Sequence, residues 1–143
     1  MLKLSNSAEV RALKILLNVL PSETLVVRLY TNNHTPADSD TAATFTEADG
    51  GGYAPITIDP ADWTFSTNAE GKAQADHPTL EWTFTGPLTD NASIYGYYVT
   101  DSTGNELRWA ERDPEADVTG PFQPQNNGDR FRVTPRITHA SET

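Results

Sequence analysis

The stretch Ile94–Glu111, IYGYYVTDSTGNELRWAE, constrains the fold of this chain more than any other. An aromatic-rich run, a polar break at Asp101–Asn105 and a second apolar run read as a β-hairpin. Gly104 supplies the positive φ that such a loop needs, and Asp101 and Asn105 suit its ends. Strict alternation places Ile94, Gly96, Tyr98 and Thr100 on one face of the first strand, with Tyr95, Tyr97, Val99 and Asp101 on the other. On the second strand it joins Leu107 to Trp109 and sets Glu106, Arg108 and Ala110 opposite them. Gly96 then lets a bulky neighbour such as Trp82 or Trp109 approach the backbone. A lone hairpin is marginal in water, so the rest of the chain has to supply further strands to cover it.

Short segments elsewhere meet that need. TLVVRLYT (24–31) alternates, with Leu25, Val27 and Leu29 on the core side. YAPITI (53–58) carries Pro55, which favours an edge strand. Residues 63–67 form a strand with Trp63 and Phe65 inward, and 68–78 a polar connection turning through Glu70-Gly71-Lys72. TLEWTFT (79–85) sets Leu80, Trp82 and Phe84 against Thr79, Glu81, Thr83 and Thr85. A last strand, 129–139, buries Phe131, Val133 and Ile137 and leaves Arg130, Arg132 and Arg136 as a basic stripe. Ten prolines and nine glycines punctuate these runs, as in all-β domains. Only residues 6–20 read as a helix. Asn6, or alternatively Ser7, is its cap, and Glu9 sits at capping-box distance from Asn6. Val10, Leu13, Leu16, Leu17 and Leu20 form the apolar stripe, Ile15 and Val19 widen it, and Pro21 ends it. The expected fold is a single mainly-β domain over 1–143: an antiparallel β-sandwich or jelly-roll-like barrel over about 24–139, with one N-terminal α-helix over about 6–20.

Two polar excursions interrupt the strands. Residues 32–52 contain one large apolar side chain, Phe45, and read as a functional or mobile loop. Its acids Asp38, Asp40, Glu47 and Asp49 lack the spacing of a calcium loop. Gly50-Gly51-Gly52 is not followed by the lysine and hydroxyl residue of a phosphate loop. Residues 112–128 are a second long loop, with Val118 and Phe122 as anchors.

Residue chemistry narrows the function by exclusion. A net charge of −10 repels phosphate backbones, so nucleic acid is not an expected partner. With no cysteine there is neither disulfide nor thiolate chemistry. His34, His77 and His139 do not stand at ligand spacing, and no nucleophile elbow occurs. Glu81, Glu106 and Glu111 are carboxylates on strand faces where solvation is the ordinary role. No cofactor and no enzymatic activity are expected. Glu9, Arg11 and Lys14 interrupt any secretory apolar core, and no apolar run reaches spanning length, so no membrane association is expected. Trp63, Trp82 and Trp109 admit a glycan platform, but their alternation with polar neighbours favours the core.

The order of these features resembles a family of small bacteriophage virion structural proteins. The leucine-rich helix LKILLNVL precedes VRLYT. A glycine-tyrosine strand entry follows at Gly52-Tyr53, then the hairpin from Gly96 to Asp101 with Trp109, and the closing strand from Gly128-Asp129 through Val133. The resemblance runs through nearly the whole chain, apart from the two long loops. It implies a non-enzymatic subunit of the virion, assembled in the host cytoplasm. The reading it favours is a capsid decoration or cement protein bound to the outer head, as a homotrimer touching major capsid protein and sister subunits. The alternative is a tail-associated adaptor or fibre module that binds host glycan. The contact residues expected on this reading are Val10, Ile15 and Val19 on the helix, His34, Asp38 and Phe45 in the first loop, Phe122 in the second, and Arg130, Arg132 and Arg136 on the last strand.

Overall fold

The structure is a computed structural model that describes residues 2–17 and 23–139. It is mainly β, with three antiparallel sheets and one α-helix near the N-terminus. The hairpin supplies the centre. Strands β1 (Lys3–Leu4), β2 (Leu25–Tyr30), β3 (Ile56–Ile58), β7 (Gly96–Asp101) and β8 (Leu107–Arg112) form a five-stranded sheet in the order β1-β8-β7-β2-β3. The Pro55 segment thus delivers an edge strand. Strands β4 (Thr64–Thr67), β5 (Ala73–Asp76) and β10 (Arg136–His139) make a second sheet, and β6 (Leu80–Thr83) pairs with β9 (Arg130–Val133). The inner face of the large sheet, through Val27, Leu29, Tyr97, Val99 and Trp109, packs on Leu80, Trp82, Phe84 and Phe131 of the β6 and β9 segments, giving the sandwich core.

Several expectations change on inspection. The final strand is two: Pro135 is buried, and β9 and β10 pair with different partners on either side of it. A proline has no amide to donate to a ladder, which suits this switch point. The connection 68–78 contains β5, joined to β4 by a turn in which Asn68 Oδ1 accepts the amides of Glu70 and Lys72. Phe65 points outward and is 75% exposed, while Trp63 packs on the core. Val118 is 76% exposed and anchors nothing in the second loop; Phe122 does so by packing between Phe84 and Phe131.

The hairpin turn forms as its residues dictate. Gly104 has φ +79°, and Asp101 Oδ1 accepts the amides of Asn105 and Glu106. The faces of β8 differ from strict alternation because of a bulge. Val99 opposes Trp109, yet Thr100 opposes Leu107, so Arg108 is the extra residue. Leu107 therefore joins Tyr98 and Ala110 on the outer face, whereas Trp109 joins Val99 in the sandwich core. The neighbour of Gly96 is neither Trp82 nor Trp109 but Tyr30. A Cβ there would overlap the Glu111 carbonyl oxygen and come within 2.7 Å of Tyr30 Oη.

The outer face of the large sheet is buried too. Tyr30, Tyr98, Leu107 and Ala110 line it, and the loop 32–52 lies over them through Phe45. Phe45 stacks on Tyr98 with ring centroids 4.9 Å apart and planes 14° from parallel. Asn32 holds the loop closed, donating to the Thr44 carbonyl at 3.0 Å and accepting the Thr46 amide at 2.8 Å. The polar excursion is a lid on a second core.

Candidate interaction surfaces

Helix α1 (Asn6–Leu16) is built onto the edge of the large sheet. β1 pairs Lys3 with Ala110 and Leu4 with Trp109. The next residue, Ser5, is buried and is the N-cap: its Oγ accepts the Ala8 amide at 3.2 Å and donates to the Leu107 carbonyl at 2.7 Å. Asn6 and Ser7 lie within the helix rather than capping it. Ser7 Oγ also reaches the Leu107 carbonyl, at 3.5 Å, but it is the buried Ser5 hydroxyl that accepts the Ala8 amide. Val19, Leu20 and Pro21 lie outside the described residues.

The two sides of α1 differ. Ala8, Arg11, Ala12 and Ile15 face the sheet and roof a groove of about 320 Å³ whose floor includes Leu25, Trp63 and Trp109. One wall is an ionic link. The Glu23 carboxylate forms an ion pair with Arg11 of the helix, 2.9 Å from its Nε, and accepts hydrogen bonds from Arg108 Nε and Nη2 of β8, the latter at 3.0 Å. Arg108 is 5% exposed. A buried guanidinium needs such a partner, because its desolvation cost exceeds what an exposed pair returns. The bulge is what turns Arg108 to the same side as Trp109. The groove can take an apolar group beside a buried ion pair.

The opposite side of α1 carries Val10, Leu13 and Leu17, which are 53%, 60% and 70% exposed. All three belong to the apolar stripe of the sequence, and Val10 is one of the expected contact residues. Among the described side chains of the helix only Ala8, on the opposite side, is buried, at 7% exposed. Ile15, at 40% exposed, lines the groove and still shows an edge.

The remaining expected contact residues disperse over the molecule. Phe45 is 6% exposed and belongs to the chain's own core, so it offers no face to a partner. Phe122 is half-buried against Phe84 and Phe131. His34 is held by Asp40, Nε2 to Oδ2 at 2.7 Å, and packs edge-on against Phe45. Asp38 is exposed and lies 3.6 Å from Lys3 Nζ. The basic stripe faces local acids: Arg132 Nε reaches Glu81 Oε2 at 2.5 Å, Arg130 lies 3.7 Å from the same carboxylate, and Arg136 Nε meets Asp76 Oδ1 at 2.5 Å. The hydrogen bond from Arg132 holds Glu81 below the usual carboxylate range, with the charges of Arg132 and Arg130 acting the same way. Hydrogen bonds from Gln74 and then Arg136 do the same for Asp76. Arg136 sits on a different sheet from Arg130 and Arg132, so the three do not form one continuous stripe.

Sequence reasoning missed the second long loop's own clasp. Arg112 grips Asp117 with two hydrogen bonds of 2.8 Å, donates to the His34 carbonyl at 3.1 Å and lies over the Tyr95 ring. It thereby ties 112–117 to the first loop. Arg and Asp five apart across a proline-led turn is the signal that was there to find. Trp82 and Trp109 are 4% and 5% exposed, leaving Trp63 as a half-buried third, so the tryptophans do not make a stacking platform. Among the described residues no three His, Cys, Asp or Glu are placed to hold a metal ion, and no helix is long and apolar enough to cross a membrane. No family model, no curated protein and no solved structure matches this chain.

Proposed function

We propose that this protein is a structural subunit of a bacteriophage virion, a decoration or cement protein of the outer head that works as a homotrimer. One observation carries the reading: the apolar outer side of α1, with Val10, Leu13 and Leu17 more than half exposed on a helix anchored to the sheet. An apolar stripe of this kind on a fixed helix is a contact surface for another protein. The side chains of Arg130, Arg132 and Arg136 remain 56%, 58% and 63% exposed beside their acids and so remain accessible to an acidic capsid surface. The ordered series of strand motifs from Gly52-Tyr53 to Val133 supports the same family of virion proteins.

Position and copy number in purified particles test the reading. Peptide counting by mass spectrometry and averaged electron-microscopy density should place many copies over the head. A few copies at the tail, or none in the particle, would sink it.

A further inference from the structure

We infer that the outer side of α1 is a parallel helix–helix seam between copies of this chain, set around a rotation axis. The inference rests on the proposed self-assembly and supplies its geometry. Val10, Leu13 and Leu17 fall at successive a, d and a positions of a heptad, and the sequence places Leu20 at the next d, outside the described residues. In the same frame Ala8, Arg11, Ala12 and Ile15 occupy b, c and f positions, the back of a coiled-coil helix, and these are the residues that face the groove. The helix is thus divided between one protomer's sheet and a neighbouring helix.

The flanking charges choose both the occupant and the orientation. Glu9 stands at g and Lys14 at the following e; both are exposed, and among the described residues neither has an ion-pair partner. Five residues apart, they do not face each other along their own helix. In a parallel pair the g position of one helix meets the following e of the other, which joins Glu9 to Lys14 in both directions. An antiparallel pair would set Glu9 against Glu9 and Lys14 against Lys14, which like charges disfavour. The surface is therefore complementary to its own copy in one orientation. An isolated helix of this length would be marginal in water. Here Ser5 and the Glu23 link fix it on the sheet beforehand, so little ordering is left to be done on association.

Sedimentation velocity of the full-length protein over rising concentration tests the seam. The unaltered protein should associate, and Leu13→Asp should leave it monomeric. Glu9→Lys and Lys14→Glu should each weaken association by roughly tenfold, and the double swap should restore it. In an antiparallel seam the single swaps would change little. Leu17→Gln, a milder change on the same stripe, should weaken association while the near-ultraviolet circular dichroism of the tryptophans stays native, separating loss of contact from loss of fold. Val118→Asp, at a still more exposed apolar residue away from the helix, should have no effect. A monomeric unaltered protein, an assembly indifferent to Leu13→Asp, or single swaps without effect would each overturn the seam. The two readings fail separately. Particles richly decorated by a protein that stays monomeric in isolation refute the seam and leave decoration standing. A seam that passes these tests in a protein missing from heads refutes decoration alone.

Discussion

The loop 32–52 and helix α1 make an instructive pair, because each does what the other's sequence pattern promises. The loop is almost wholly polar, yet it buries Phe45 at 6% exposure and closes a second core over Tyr98 and Tyr30. The helix carries a leucine-rich stripe, yet shows Val10, Leu13 and Leu17 to solvent. Apolar content fixes how much surface an element would bury, whereas the shape of the platform beneath it decides which residues do the burying. The outer face of the large sheet offers two tyrosine rings and a slot, which one phenylalanine fills. The sheet edge beside β8 buries Ala8, one small side chain of the helix.

Breaking the loop's half of the contrast gives the largest effects. Phe45→Ala should destabilise the protein by about 3 kcal/mol in urea unfolding, the usual cost of emptying a buried aromatic site. A loss like that of a surface change would mean that the loop is no lid. Gly96→Ala should cost about 2 kcal/mol, since its methyl group meets the Glu111 carbonyl and Tyr30 under the same lid, and backbone cannot step aside as a side chain can. Asn32→Ala, which removes both hydrogen bonds of the loop's clasp, should cost about 1 kcal/mol and raise hydrogen exchange at Thr46.

Acid probes the tie between the two loops. The hydrogen bonds from Arg112 hold Asp117 below its ordinary carboxylate range. A carboxylate depressed in the folded state adds stability above its unfolded value and loses it as pH falls through the folded one. Amide exchange around 113–119 should therefore quicken as pH drops below about 4, after correction for the intrinsic pH dependence of exchange. Asp117→Asn should flatten that response. The smallest effect belongs to the helix. Leu13→Ser should move the unfolding free energy of dilute, dissociated protein by less than about 0.5 kcal/mol. A larger loss would show the stripe to be packed within the protomer and erase the contrast.

Much of the strand framework was legible because alternation, glycine and proline act locally. The β6 segment buries Leu80, Trp82 and Phe84 and exposes Glu81 and Thr83 as read, and the Asp101–Asn105 turn is fixed by its own side chains. What failed was decided at a distance. No local signal distinguishes Arg108 as a bulged residue, because its place depends on Glu23 and on the register of β7 against β8. Phe65 alternates correctly with its neighbours yet faces solvent, because no layer covers β4. β2 is nearly buried on both sides, so reading one face as core missed Tyr30, whose second layer comes from a loop with a single aromatic. Of the residues expected as helix contacts, Val10 is 53% and Ile15 40% exposed and Val19 lies outside the described residues, while the same side as Val10 also shows Leu13 and Leu17.

The pairing of β1 with β8 sets a schedule for synthesis. Lys3 and Leu4 leave the ribosome about a hundred residues ahead of their partners Ala110 and Trp109, and Ser5 waits equally long for the Leu107 carbonyl. At about 5–20 residues per second this interval lasts many seconds. Until it closes, α1 has neither its cap's second anchor nor its seat, and a helix so short seldom holds itself together. A chain in synthesis therefore presents Val10, Leu13 and Leu17 on a fixed helix only once its sandwich is made.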